Sequence, residues 1–162
     1  MDAEKAAKIL GITGGAFAII AAFLWWWWVI SPTALYGMSS IDVFIWMTNN
    51  SWPVLLDPFN DIRYLIYYIC MLVLIVGGIV FIIASAKVNK KAGVTGLIII
   101  VIGSILAITY MVVHFIIANF SFERFFFYII GDAFVGLGPG FYLAITSIIL
   151  CICGVIAIYK SK

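Results

Sequence analysis

The chain has 162 residues, of which 66% are hydrophobic and only 10% are charged. A soluble domain carries about a quarter charged residues, so this composition excludes an ordinary soluble protein and indicates an integral membrane protein. The formal net charge of +2 is too small to indicate binding to nucleic acid. We expect a single domain over residues 1–162, because no polar stretch remains that would form a second one.

The first predicted membrane span covers about Ile9–Ile30 and ends in four consecutive tryptophans, Trp25 to Trp28. It is uncharged and reaches the roughly 20 apolar residues that a bilayer span requires. Tryptophan prefers the headgroup boundary, so the tryptophans are expected to mark one end of this helix. Lys5 and Lys8 mark the other end. The segment has no small-residue cleavage site, which is unlike a cleaved signal peptide.

Three further apolar runs predict spans at about Tyr64–Ala86, Ala92–Ala118 and Pro139–Tyr159. Hydrocarbon cannot satisfy backbone polar groups, so continuous apolar runs of this length must be helices. Pro139 suits the start of a helix, because a backbone N–H at that position would have no hydrogen-bond partner within the helix. The predicted fold is therefore an all-α, integral membrane four-helix bundle with two aromatic-rich outer loops, at about 31–63 and 119–138.

Basic residues predict the orientation of the bundle. Seven of the nine Lys and Arg residues lie at the two termini and in the short connection Lys87–Lys91. Counting acidic residues, this side nets +5, whereas the outer loops net −3. The positive-inside rule then predicts cytoplasmic N- and C-termini. We expect the plasma membrane as the location, and anionic lipid as the neighbour of the inner lysines.

Few residues in the spans are chemically reactive. Cys70, Cys151 and Cys153 are expected to fill space as small apolar groups, because the C-I-C spacing directs two of the thiols to nearly opposite sides of a helix. His114 is the single histidine, with a proton relay or a metal or haem ligand as the functional alternative to a structural role. No Asp, Glu, Lys or Arg lies in a predicted span, which disfavours a proton- or cation-coupled transporter. No catalytic residue, metal ligand or cofactor is predicted.

Small residues at four-residue spacing predict close helix contacts, because they allow two backbones to approach each other. We expect these contacts inside the bundle rather than between copies of the chain. The candidate helix-packing residues are Gly11, Gly15, Ala18, Gly96, Gly103 and Gly140.

Aromatic residues in the outer loops predict a partner surface. Rings left in water would form an exposed apolar patch, so they must be buried in headgroups, in each other or in another protein. The candidate partner surface comprises Trp46, Trp52, Phe122, Phe125, Phe126 and Phe127.

The layout resembles that of the claudin/PMP22-like group of four-span membrane proteins. The shared features are cytoplasmic termini, a long first outer loop with tryptophan, a short inner connection and a smaller second outer loop. The stretch from Gly140-Phe-Tyr-Leu through Gly154 is similar in style to the last span of that group. The claudin first-loop signature, a G-L-W with two cysteines, is absent. The resemblance therefore implies an architecture and assigns no role to any residue.

These features together favour a non-enzymatic membrane protein that acts by lateral association, as an accessory subunit of a complex or a self-assembling scaffold. Its expected partners are the lipid bilayer and other membrane subunits, or further copies of itself. One alternative is a small channel or transporter subunit with a pathway at an oligomer axis. Another is a membrane enzyme that uses His114 or the outer carboxylates.

Overall fold

Four long helices dominate the computed structural model, which describes residues 2–24, 27–31, 34–38, 62–117, 127–130 and 133–161. Side chains are described within 2–24, 69–109 and 137–161. All four helices are long and apolar enough to cross a membrane. They are α1 (Ala3–Phe23), α2 (Ile62–Ala86), α3 (Lys90–Ile117) and α4 (Pro139–Lys160).

Four short strands, which lie in the segments connecting α1 to α2 and α3 to α4, form an antiparallel sheet. The strands are β1 (Trp27–Ser31), β2 (Ala34–Met38), β3 (Phe127–Ile130) and β4 (Ala133–Leu137), in the spatial order β2-β1-β4-β3. The all-α expectation therefore holds for the four helices and needs correction for the connections. Strands β2, β3 and β4 lie in the predicted outer loops, whereas β1 lies almost wholly in the predicted first span, and β1 against β4 is the central contact.

The first span is shifted from its predicted position. The helix covers Ala3–Phe23 rather than 9–30, and Trp27 and Trp28 belong to β1 instead of the helix end. Aromatic and β-branched residues favour strands, and hydropathy alone cannot distinguish a helix from a strand in a short apolar run. The helix keeps its length, about 31 Å for 21 residues, by including the charged turn at Glu4 and Lys5. The other three spans lie within two residues of their predicted bounds.

The helices form a ring in chain order. Helix α1 packs extensively against both α2 and α4, α2 packs against α3, and α3 touches α4 over a smaller contact. At one end of the ring, Ala7 of α1, Ala157 and Ile158 of α4 and Val88 of the α2–α3 turn form a small apolar cluster. Both ends of the described chain and this turn therefore lie together, and the sheet lies at the opposite end.

The α2–α3 turn is compact because one residue serves both helices. The Asn89 amide donates to the Ala84 carbonyl and the Val88 amide donates to the Ser85 carbonyl, which closes α2 with a Schellman motif. The Asn89 side chain then accepts the Ala92 amide at 3.1 Å and caps α3. Val88 takes the left-handed position of the motif, with φ 51°, where glycine is usual.

Helices α1 and α4 have mainly small residues inside the bundle and large apolar residues outside. Every buried residue of α1 is alanine or glycine, whereas Ile9, Ile12 and Ile20 are more than 40% exposed. The same pattern holds through most of α4, where Gly140 and Ala144 are buried and most isoleucines face outward, with Ile158 as the buried exception. Water would disfavour such a surface, but lipid is as apolar as isoleucine and accepts it.

Candidate functional surfaces

The candidate packing residues of α1 lie in its contact with α2. A Cβ placed on Gly15 would lie 2.7 Å from the Gly78 carbonyl oxygen, and one placed on Gly78 would lie 2.6 Å from the Gly15 carbonyl oxygen. Ala18 is fully buried beside Gly78. The two backbones therefore touch directly, which only glycine at both positions permits.

Gly11 lies where three helices meet. A Cβ at this position would collide with the side chain of Ser85 on α2, and a Cβ on Gly154 of α4 would lie 3.2 Å from the Gly11 backbone. The α1–α4 contact is continued by Gly14, which lies against Cys151. Small residues of α1 thus face both neighbouring helices: Gly15 faces α2, Gly14 faces α4, and Gly11 contacts both.

The candidate residues of α3 and α4 have different surroundings. Gly96 lies against the backbone of Phe81, and Gly103 lies against Leu74 and Val73, so both accept residues of α2. Gly140 is buried in the first turn of α4. Within the described part of the chain, the candidate glycines of α1 and α3 therefore contact other helices of the same chain.

Phe81 of α2 contacts all three other helices, although it is absent from the packing residues predicted from the sequence. Its side chain is fully buried; its backbone contacts Gly96 of α3, and its ring edge lies close to Gly11 of α1 and Gly154 of α4. The signal was present in the sequence, because Phe81 is the only aromatic residue in α2 after Tyr68. A single aromatic residue at the same depth in the membrane as glycines of the three other helices indicates a central packing site.

One buried hydrogen bond links α4 to α1. The Ser147 hydroxyl donates to the Gly14 carbonyl oxygen at 2.7 Å, and the Cys151 sulfur lies 4.0 Å from the same hydroxyl. Two other buried hydroxyls, of Ser85 and Ser104, have no hydrogen-bond partner among the described residues. The interior of the bundle is thus sparsely polar, with hydroxyls as its polar side chains and no ionised group among the buried described residues.

The residues with possible redox or metal chemistry do not form a cluster in the described part of the chain. Cys70 and Cys151 are buried, Cys153 is exposed, and all three are free thiols. Groups of three or more potential metal ligands are absent from the described residues. His114 lies in α3, and its side chain lies outside the described set.

The basic end carries exposed lysines from α1, the α2–α3 turn, α3 and α4. Lys87 lies in the α2–α3 turn, Lys90 begins α3, and the Lys90 ammonium lies 5.6 Å from the centre of the Tyr159 ring of α4. Lys8 pairs with Glu4 one turn away on α1. The described lysines among those that predicted the orientation therefore lie at one end of the bundle, opposite the sheet.

Most of the candidate partner surface lies outside the described residues. This applies to Trp46, Trp52, Phe122, Phe125 and Phe126, whereas Phe127 is the first residue of β3. The described part of the two outer segments contributes a sheet edge on each side instead.

Comparison with protein-family models, with curated proteins and with solved structures finds no match to this chain. The fold defines it as a protein with four helices capable of spanning a membrane and a small antiparallel sheet at one end. Any function must be argued from these features of the chain itself.

Proposed function

We propose that this chain is a non-enzymatic plasma-membrane protein that acts by lateral association, as an accessory subunit or a self-assembling scaffold. The observation that carries the proposal is how the packing residues are used. The closest glycine contacts, such as Gly15 with Gly78, are made between helices of one chain. We therefore expect these glycines to hold the helices of one chain together, which leaves the sheet end as the proposed site of association.

The proposed orientation has the basic end in the cytoplasm and the sheet outside. It is supported by the gathering of lysines at the end formed by the α2–α3 turn and the last turn of α4. The same arrangement would have the sheet and the candidate aromatic surface face the neighbouring proteins outside the membrane. In this respect the proposal follows the layout of the claudin/PMP22-like group without taking over any activity from it.

Native mass measurement in mild detergent tests the proposal. We expect assemblies larger than one chain of 17.9 kDa, and we expect Trp52→Ala with Phe126→Ala to weaken them while helix content stays unchanged. Assemblies of wild-type size in the double variant would mean that these two aromatics are not the partner surface. A wild-type protein that is monomeric under all mild conditions would contradict lateral association altogether.

The orientation is tested on intact cells with an impermeant thiol reagent. A cysteine at Ser40 or Ser121 should react, and one at Lys87 in the turn should not. Lys87 is preferred to Asn89 because the Asn89 side chain caps α3. Labelling at Lys87→Cys from outside would reverse the orientation.

A further inference from the structure

The sheet has two edges among the described strands, β2 on one side and β3 on the other. Within the described part of the chain, each edge strand pairs on its inner side only, β2 with β1 and β3 with β4. The outer side of each therefore presents backbone N–H and C=O groups that no other described strand accepts. Such edges pair readily with another strand unless the sequence protects them.

The sequence of both edges lacks the usual protection. β2 reads A-L-Y-G-M and β3 reads F-Y-I-I, so neither strand contains a charged residue or a proline. Lysine and proline are the residues that commonly prevent edge pairing, and aromatic and β-branched residues favour it. Both edges are thus suited to a further strand.

The directions of the two edges are complementary. Every neighbouring pair in the four-stranded sheet is antiparallel, so β2 and β3 run in opposite directions. A second copy placed beside the first, without inversion, brings its β2 antiparallel to the first copy's β3. Two like edges can meet in parallel after a half-turn about an axis along the strands, or in antiparallel after a half-turn that reverses the strands of one copy. Lateral repetition gives antiparallel pairing with no rotation, and parallel pairing is slightly less stable per residue.

We propose that this chain assembles head to tail in the membrane, with β3 of one copy hydrogen-bonded to β2 of the next copy. The proposal rests on lateral association as the function and names its partner, a second copy of this chain. The contact is heterologous, so repetition closes into a ring or extends as a row.

The register of the sheet identifies the positions that should meet. Tyr36, Val29, Val135 and Tyr128 are successive Cα partners across β2, β1, β4 and β3, and so form one row on one face of the sheet. If the row continues, Tyr128 of one copy lies opposite Tyr36 of the next. Within one chain the two positions are three strand spacings apart, roughly 14 Å. This exceeds the distance of about 7 Å between Cα atoms that a disulfide can bridge.

Disulfide trapping in native membranes tests this contact. Tyr36→Cys with Tyr128→Cys, in a chain whose three natural cysteines are alanine, is oxidised with copper phenanthroline and examined on a denaturing, non-reducing gel. We expect a ladder at multiples of the chain mass, because the pair can bond only between copies. Each single variant should stay monomeric. Tyr36→Cys with Ile129→Cys is the matched control, since a shift of one residue moves the second thiol to the other face and should abolish the ladder.

The outcomes separate this contact from association in general. Absence of a ladder when Tyr128→Cys is combined in turn with Ala34→Cys, Tyr36→Cys and Met38→Cys, in proteins of wild-type helix content, overturns the edge pairing at every nearby register on that face. Dimers from a single variant would overturn it as well, because they require like edges to meet. If native mass then still shows assemblies, lateral association stands without the sheet contact; if it shows monomers, both proposals fail.

Discussion

The two faces of α2 show two different ways of packing helices in a membrane. Toward α1, Gly78 meets Gly15 and the two backbones touch. Toward α3, Gly96 lies against the Phe81 backbone and Gly77 against the backbone nitrogen and Cγ1 of Ile100, so each of these contacts has a glycine on one side only. Lipid offers no hydrophobic drive for helix association, so both interfaces depend on close packing.

The two kinds of contact predict different effects of substitutions on the stability of the bundle. A backbone-to-backbone contact has no side chain that can rotate away, so a substitution that adds a side chain there should destabilise the bundle. A contact in which a large side chain fills the space above a glycine, as the Phe81 ring does at Gly11 and Gly154, should lose most stability when that side chain is removed. Substitutions at these contacts, and at the hydrogen bond from Ser147 to Gly14, should therefore differ in their effect on stability.

The largest effect is expected from Phe81→Ala. The substitution removes the ring that lies against Gly11 and Gly154 and leaves a cavity where four helices meet. Core phenylalanine truncations cost about 3 kcal/mol or more, and a cavity closed in by glycine backbones has little material with which to collapse. The measurement is the free energy of unfolding in detergent.

Ile79→Ala is the matched control for Phe81→Ala. It lies two residues away on α2 and is 45% exposed on the outer surface, so its truncation should have a much smaller effect. Equal losses for the two variants would contradict the central position of the Phe81 ring.

The next effect is expected from Gly15→Ala, which should destabilise by about 2 kcal/mol through overpacking. The added methyl would lie 2.7 Å from the Gly78 carbonyl, and a helix backbone cannot give way. The loss should appear although alanine is the better helix former by about 1 kcal/mol.

Gly93→Ala is the comparison for Gly15→Ala. Its added methyl would lie 3.1 Å from Cδ1 of Ile158, the far end of a flexible side chain, rather than against a backbone atom. We expect this variant to be neutral or slightly more stable. The backbone contact between α1 and α2 would be disproved by a Gly15→Ala protein that unfolds at or above the wild-type temperature.

The smallest effect is expected from Ser147→Ala, about 0.6 kcal/mol, the average for interhelical hydrogen bonds in membranes. The change removes the bond from Ser147 to the Gly14 carbonyl, which joins α4 to α1. Thr146→Ala removes a hydroxyl that bonds only to the Tyr142 carbonyl of its own helix, so it should change stability less. If Thr146→Ala lowers the free energy of unfolding as much as Ser147→Ala does, the interhelical hydrogen bond makes no contribution of its own to stability.

Sequence patterns were sufficient for three of the four spans and insufficient at the tryptophan run. The four tryptophans were assigned to the end of the first helix, whereas Trp27 and Trp28 pair with Leu137 and Gly136 in the sheet. A hairpin signal was available in the second outer segment, where Gly131-Asp132 separates two apolar runs. No local signal indicated that this hairpin would pair with β1, because that pairing joins residues more than 100 positions apart.

The sequence by itself determined the class of this protein: its hydropathy, its span lengths and the gathering of its lysines follow from composition and order along the chain. Bilayer thickness and backbone hydrogen bonding leave few alternatives to helices for such segments. Only the tertiary structure decided which small residue meets which. Gly15 with Gly78, Gly11 with Gly154 and Ser147 with Gly14 depend on the order, depth and rotation of the helices in the ring. Those quantities are set by all the contacts at once, and no single stretch of sequence contains them.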